Sequence, residues 1–175
     1  MNQYCAFLRG VNVNGRKLKM AEVCQVFQEN HLEKVHSVLA TGNILFQSKE
    51  NKAKLKTDLE AALAQAFQVE ITLFIKEMDE VKAIVENNPF QPSNDLHCYI
   101  FICESGFEKI LMEKYQSISP VDLEDGQIRG GYFYWQVPKG MTLDAGFSKI
   151  LGSKKFKERF TSRNLKTMER ILSKM

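Results

Sequence analysis

The sequence has no apolar run long enough to span a bilayer; its longest conspicuous one, Cys98–Cys103, has the length of a strand. Glycine and proline are scarce, ten and four residues, which excludes collagen-like and low-complexity chains. Histidine occurs three times, at scattered positions. The four cysteines, Cys5, Cys24, Cys98 and Cys103, form no C-x-x-C pair. No zinc spacing results, and neither metal nor cofactor is expected. Met1–Gly10 lacks the charged and apolar regions of a signal peptide, so a cytoplasmic chain with reduced thiols is expected.

What is present is an ordinary globular composition: 175 residues, 44% hydrophobic and 26% charged, with a net charge of +3. The charge is unevenly placed. Residues 1–76 carry a net +3, residues 77–142 a net −6 and residues 143–175 a net +6. A basic end beside an acidic middle suits self-complementarity within the fold, and equally an anionic partner.

Periodicity divides the chain into elements. Tyr4–Arg9 predicts a buried strand. Met20, Val23, Cys24 and Phe27 share a helical face. Val35, Ser37 and Leu39 predict a second strand, which turns at Thr41-Gly42-Asn43 and returns through Ile44, Leu45 and Phe46. Leu55, Leu59, Ala62, Leu63, Ala66 and Phe67 stripe a long helix, with Ser48 as its expected N-cap. Ile71, Leu73 and Ile75 alternate in a fourth strand. This β-α-β-β-α-β order is the split βαβ, or ferredoxin-like, arrangement.

From Glu77 a helical face of Met78, Val81 and Val85 ends at Asn88-Pro89. A loop leads to a strand at 97–103. A helix then follows, opened by an expected capping box of Ser105 and Glu108. Residues 127–129 and 132–137 read as a hairpin around Gly130-Gly131. Helical segments follow from about Phe147, broken near Gly152, and a last helix carries Leu165, Met168, Ile171, Leu172 and Met175 on one face. The second half thus reads β-α-β-β-α with additional helix. The expected fold is α+β: two tandem ferredoxin-like subdomains with antiparallel sheets, 1–76 and 77–175, the second ending in basic helices. One larger mixed-sheet domain is the alternative.

Three segments carry potential chemistry. Arg9–Lys17 joins the first strand to the first helix, where outward amides, the helix dipole and nearby cations suit a phosphate or another anion. It completes neither a Walker A loop nor a dinucleotide fingerprint, and a polar loop with two turn glycines accounts for the same residues. Thr41-Gly42-Asn43 is a turn whose distance from that loop the spacing leaves open. Lys154–Asn164 is the densest basic stretch. Its Phe156 and Phe160 suit either stacking on nucleic acid or the core face of an amphipathic helix. Arg163 is singled out there as a two-point anion ligand beside a helix start. Arg129–Trp135 partly suggests an RNA-stacking strand, but Gly131 stands where an aromatic belongs. No Ser-His-Asp or Cys-His constellation nominates a nucleophile.

At these loops the sequence resembles a bacterial family, domain of unknown function 1697. Its signature resembles L-R-G-[IV]-N-V-G-G, a Met-led helix, an S-G-N turn and T-x-R-N before a final helix. Leu8–Gly15, Met20, Thr41–Asn43 and Thr161–Asn164 carry the resemblance. Asn14, Ala40 and Leu165 depart from it, standing for the usual Gly, Gln and Trp. The resemblance implies two ferredoxin-like subdomains and brings no established activity. It draws attention to Arg9, Asn12, Asn43, Arg163 and Asn164, which would form either an anion site or a buried Arg–Asn network.

The expected function is a binding module for a phosphate-bearing ligand, nucleotide or nucleic acid. Arg9 and the loop Gly10, Asn12, Asn14 and Gly15 take the anion. Thr41, Gly42 and Asn43 are candidate ligand-binding residues with it, Arg163 clamps the anion, and Asn12, Asn43 and Asn164 orient it. The alternatives are a small-molecule enzyme with an unidentified catalytic group and a protein-interaction module using the basic C-terminal segment. No membrane partner is expected, and the sequence leaves the oligomeric state open.

Overall fold

A computed structural model describes residues 1–175 except Asn14, Lys154, Lys155, Lys157 and Met175, and except the side chains of Asn12, Val13 and Arg16. The chain divides into two compact units, Met1–Val81 with Arg170–Met175, and Lys82–Glu169.

In the first unit, β1 (Asn2–Arg9) leads through a small hairpin, β2 (Asn12–Val13) and β3 (Arg16–Lys17), to α1 (Met20–Glu29). Then come β4 (Glu33–Ser37), β5 (Asn43–Ser48), α2 (Lys52–Phe67) and β6 (Thr72–Glu77). The strands pair antiparallel in the order β4-β5-β1-β6. Alternation sends Tyr4, Ala6 and Leu8 toward the helices, where they pack with Ile44, Phe46, Leu73 and Ile75 against Val23, Phe27, Leu59 and Leu63. Cys5, Phe7 and Arg9 therefore point to the opposite face. The outer edge of β6 is covered locally: the Leu73 N–H donates to Glu60 Oε1 of α2 at 2.8 Å, and the Glu77 N–H to Glu80 Oε2 at 2.8 Å. The N-cap of α2 is Asn51, whose Oδ1 accepts from the Lys54 N–H at 3.0 Å, rather than Ser48. Ser48 instead ends β5 and accepts from the Glu50 N–H.

The remaining elements are α3 (Met78–Glu86), β7 (Leu96–Cys103), α4 (Phe107–Gln116), β8 (Asp125–Arg129), β9 (Tyr132–Pro138), α5 (Gly146–Leu151), β10 (Phe160–Asn164) and α6 (Leu165–Leu172). The strand order β10-β7-β9-β8 repeats that of the first unit, again all antiparallel. β10 corrects the sequence reading, which took Phe160–Asn164 as the approach to a helix. Thr161, Ser162, Arg163 and Asn164 carry no apolar alternation, and the run is a strand because β7 offers it a paired edge, from Phe160↔Cys103 to Asn164↔Tyr99. The second unit thus contains a complete β-α-β-β-α-β and the start of α6, whose residues from Arg170 count with the first unit. The capping box at α4 is also corrected: Gly106, at φ 88°, is the N-cap, and no side chain caps the helix.

An aromatic core holds this unit, with Phe147 within 6.0 Å, ring centre to centre, of Phe101, Tyr115, Phe133 and Trp135. Phe156 and Phe160 both pack on Phe107 in the same core. Phe133, Tyr134 and Trp135 of β9 are buried too. Trp135 Nε1 donates to Glu124 Oε1 at 2.8 Å and the Tyr134 hydroxyl to the Ile84 carbonyl at 2.7 Å, so neither ring offers a free stacking face.

Candidate functional site

The first unit brings the Arg9 loop and the Thr41–Asn43 turn together. In the β1–β5 register Phe7 lies opposite Asn43, and the Leu8 N–H donates to the Gly42 carbonyl at 2.8 Å. The turn therefore runs alongside the end of β1. Gly42 is held at φ 77°, where a Cβ would come 2.9 Å from Val11 Cγ1 and 3.0 Å from Leu8 Cβ. Glycine is required there twice, by its backbone angle and by the close approach. Asn43 is fully buried. Its Nδ2 donates to the Val38 carbonyl at 2.9 Å and to Thr41 Oγ1 at 3.0 Å, which ties the connection between β4 and β5 into one closed turn.

Arg9 ends β1 on the face opposite α1 and α2, paired with Thr72 of β6. Gly10 follows at φ 92°, its α-carbon so placed that a Cβ would stand 3.2 Å from the Glu70 carbonyl. The chain then folds into the β2–β3 hairpin, pairing Asn12 with Lys17 and Val13 with Arg16, and the Leu18 N–H closes it on the Val11 carbonyl at 3.0 Å. Gly15 sits at the tip at φ 76°, with open space where a side chain would be. The described part of the loop is thus a short hairpin. Asn14 and the Asn12 side chain lie outside the described residues. Arg9 is half-buried, and desolvation lowers its pKa; an arginine nevertheless stays charged at neutral pH.

Arg163 and Asn164 belong to the second unit. Arg163 is a buried β10 residue whose Nη1 donates to Thr161 Oγ1 at 2.7 Å and to the Ser162 carbonyl at 2.8 Å. Asn164 Oδ1 accepts from the Lys166 N–H at 2.9 Å and so caps α6. Asn164 also lines a cleft of about 350 Å³ with Gln136, His97 and Cys98. Cys98 is no nucleophile there, because burial pushes its thiol up to about 12, and its Sγ–H points to Asn88 Oδ1 at 3.5 Å. In the basic stretch Arg159 stacks on Phe107 at 4.4 Å and meets Glu104 at 3.4 Å, while Lys154, Lys155 and Lys157 lie outside the described residues. Among the described residues no cluster of His, Cys, Asp and Glu is placed to hold a metal, and no helix is long and apolar enough to cross a membrane.

The sequence reading missed the β2–β3 hairpin and the cleft. Two-residue strands leave no periodicity, and the cleft draws on Asn88, Gln136 and Asn164, which are far apart in the chain.

Comparison with known proteins agrees with this architecture. The model of a family described as "Protein of unknown function (DUF1697)" matches residues 1–134. No curated protein matches the chain. Among solved structures, that of the conserved bacterial protein SP0830 from Streptococcus pneumoniae is similar. It shares 25% identity with a TM-score of 0.79, over 98% of this chain and 97% of that one. The chain therefore belongs to the DUF1697 family, and the family match includes the Arg9 loop and the Thr41–Asn43 turn but stops short of Arg163.

Proposed function

We propose that this member of the DUF1697 family is a cytoplasmic binding protein for a phosphate-bearing ligand, nucleotide or nucleic acid, with Arg9 as the principal contact to the anion. The observation that carries the reading is the half-buried, poorly solvated Arg9 guanidinium at the end of β1, where the Gly10 loop and the Gly42 turn converge. A cation already shed of part of its water binds an anion with less screening and less further desolvation. A planar guanidinium also matches two phosphate oxygens at once. In this reading Gly10 gives the chain the turn that follows Arg9, and Asn43 fixes the neighbouring turn.

The test is thermal unfolding of the wild type, Arg9→Lys and Arg9→Met with AMP, ATP and a short single-stranded RNA. A ligand at about 100 times its Kd stabilises by roughly 2.7 kcal/mol, or about 5–10 °C for a chain of this size. A shift is expected in the wild type, a reduced one in Arg9→Lys and none in Arg9→Met. No shift with any ligand, or an equal shift in all three proteins, overturns the proposal. Binding of RNA that falls steeply with salt assigns nucleic acid rather than nucleotide. A second reading, a purely structural role for Arg9 beside the Thr41–Asn43 turn, is favoured by the local hydrogen bonds through which Asn43 closes that turn on Val38 and Thr41. It predicts large destabilisation of Arg9→Met with no ligand response.

A further inference from the structure

At the other end of β1 from Arg9, roughly 20 Å away by strand rise, the same sheet face carries a second pocket of different chemistry. It has a volume of about 190 Å³. Buried Leu45 and Met78 line it, and so do Gln3, Lys34, His36 and Lys174. Among the described residues, no carboxylate side chain lines it. Neither Lys34 nor Lys174 forms an ion pair among the described residues, and the amides of Gln3 and Gln47, paired across β1 and β5, make no side-chain hydrogen bond there.

The backbone beside this pocket is irregular in a directed way. The β4–β5 register shifts between Glu33 and His36, and Lys34 within the bulge is left-handed, at φ 50°. A non-glycine residue rarely accepts that angle without cause, and bulges re-aim side chains. Here the bulge turns the Lys34 carbonyl onto the His36 ring, Nδ1 to oxygen 2.9 Å. A carbonyl only accepts, so Nδ1 carries the proton and Nε2 is left as the ring's second polar atom. Cations and amides at the mouth over an apolar floor suit a ligand with one negative end and a hydrocarbon body.

We infer that this pocket binds a small monocarboxylic acid. Its carboxylate lies between the Lys34 and Lys174 ammonium groups, and its apolar body rests on Leu45 and Met78. This inference is independent of the Arg9 reading, because the residues do not overlap.

The experiment titrates the full-length chain with benzoate and, separately, with uncharged benzamide, following the imidazole signals by NMR. His31 and His97 serve as internal controls. Two variants accompany the wild type: Lys34→Gly, which removes the amine while accepting the left-handed backbone, and Lys174→Met, which keeps the stem. The expected result is a saturable shift of His36 alone, with a Kd on the order of 1 mM, no comparable shift with benzamide, and affinity about tenfold lower in each variant. Melting of Lys34→Gly stays near that of the wild type, because the relieved strain at position 34 offsets glycine's entropy, and Lys174→Met, which loses no ion pair found among the described residues, stays near it too. Absence of a saturable His36 shift, equal binding of benzamide, or unchanged affinity in both variants overturns the inference.

Discussion

Replacing Gly42 with alanine adds one methyl group, and two separate costs follow from its position. The first is conformational: at φ 77° an L-residue sits in the left-handed region, at about 1–2 kcal/mol. The second is steric. The new Cβ would stand 2.9 Å from Val11 Cγ1, closer than real Cβ atoms come, and a tight 3.0 Å from Leu8 Cβ, so the Val11 side chain, β1 or the turn must give way. Overpacking of this kind costs typically 1–3 kcal/mol. The sum, roughly 2–5 kcal/mol, lowers the melting temperature by about 5–15 °C. Gly15 supplies the control. Its φ of 76° is the same but nothing lies within 4 Å, so Gly15→Ala bears the conformational cost alone and loses only a few degrees. Far-UV circular dichroism is the suitable probe, because the single tryptophan, Trp135, belongs to the second unit. Val11→Ala removes one of the two clashing groups, and combined with Gly42→Ala it should recover part of the loss in a double-mutant cycle. If Gly42→Ala proves as mild as Gly15→Ala, the close approach is not what holds the turn against β1, and the reasoning fails.

Two further outcomes are expected. Glu124 is buried and accepts from both Trp135 Nε1 and the Val121 N–H, each at 2.8 Å. Glu124→Ala strands both donors and costs about 2–4 kcal/mol with a changed Trp135 emission, whereas Glu124→Gln retains an acceptor and loses less; a loss below ~0.5 kcal/mol in the alanine variant refutes the assignment. Stability should also fall at both extremes of pH. Burial opposes ionisation of Glu80, but the Lys52 hydrogen bond, the Glu77 N–H and the Lys76 and Lys52 charges outweigh it and lower its pKa, so its contribution is present above the ordinary carboxylate range and disappears in acid. Cys98 and Tyr115 are pushed up to about 12, both chiefly by burial, from ordinary values of 9.0 and 10.0. The unfolded chain therefore loses those protons first, and the urea midpoint should hold steady to about pH 8 and decline between about 9 and 12. A midpoint that stays flat to pH 11 contradicts the burial of both groups.

How far the sequence disclosed this fold depended on where apolar side chains repeat. The first unit was legible because the apolar run Tyr4–Leu8 and the helical stripe of Leu55, Leu59 and Leu63 stand out directly in the chain. β10 was not, since an edge strand of Thr, Ser, Arg and Asn is made by its neighbour β7 rather than by its own pattern. Capping failed for a related reason. Ser48 and Asn51 both have the chemistry of an N-cap, and only the end of β5 decides which of them is free to serve. The meeting of the Arg9 loop with the Gly42 turn follows from the antiparallel β1–β5 register, which spacing alone does not fix.

That meeting also separates the signature residues by what the fold already asks of them. Gly10 and Gly42 answer to positive φ and to close contacts with Glu70, Val11 and Leu8; Asn43 closes a turn, and Asn164 caps a helix. Each of these roles would be needed in a protein that binds nothing. Thr41 serves the same turn as an acceptor. The arginines are different in kind, because a turn or a cap never requires a guanidinium, and burying one works against its solvation. Arg163 directs Nη1 to its own strand, at Thr161 and Ser162, and so already answers in part to local structure. For Arg9 the discriminating substitution is therefore lysine rather than alanine. Arg9→Lys keeps the charge at the end of β1 but loses the planar pair of donors. A structural strut tolerates that exchange only at a cost in stability, whereas an anion contact loses affinity while the melting temperature of the free protein holds. Measuring both quantities on the one variant distinguishes the two origins of the same conspicuous residue.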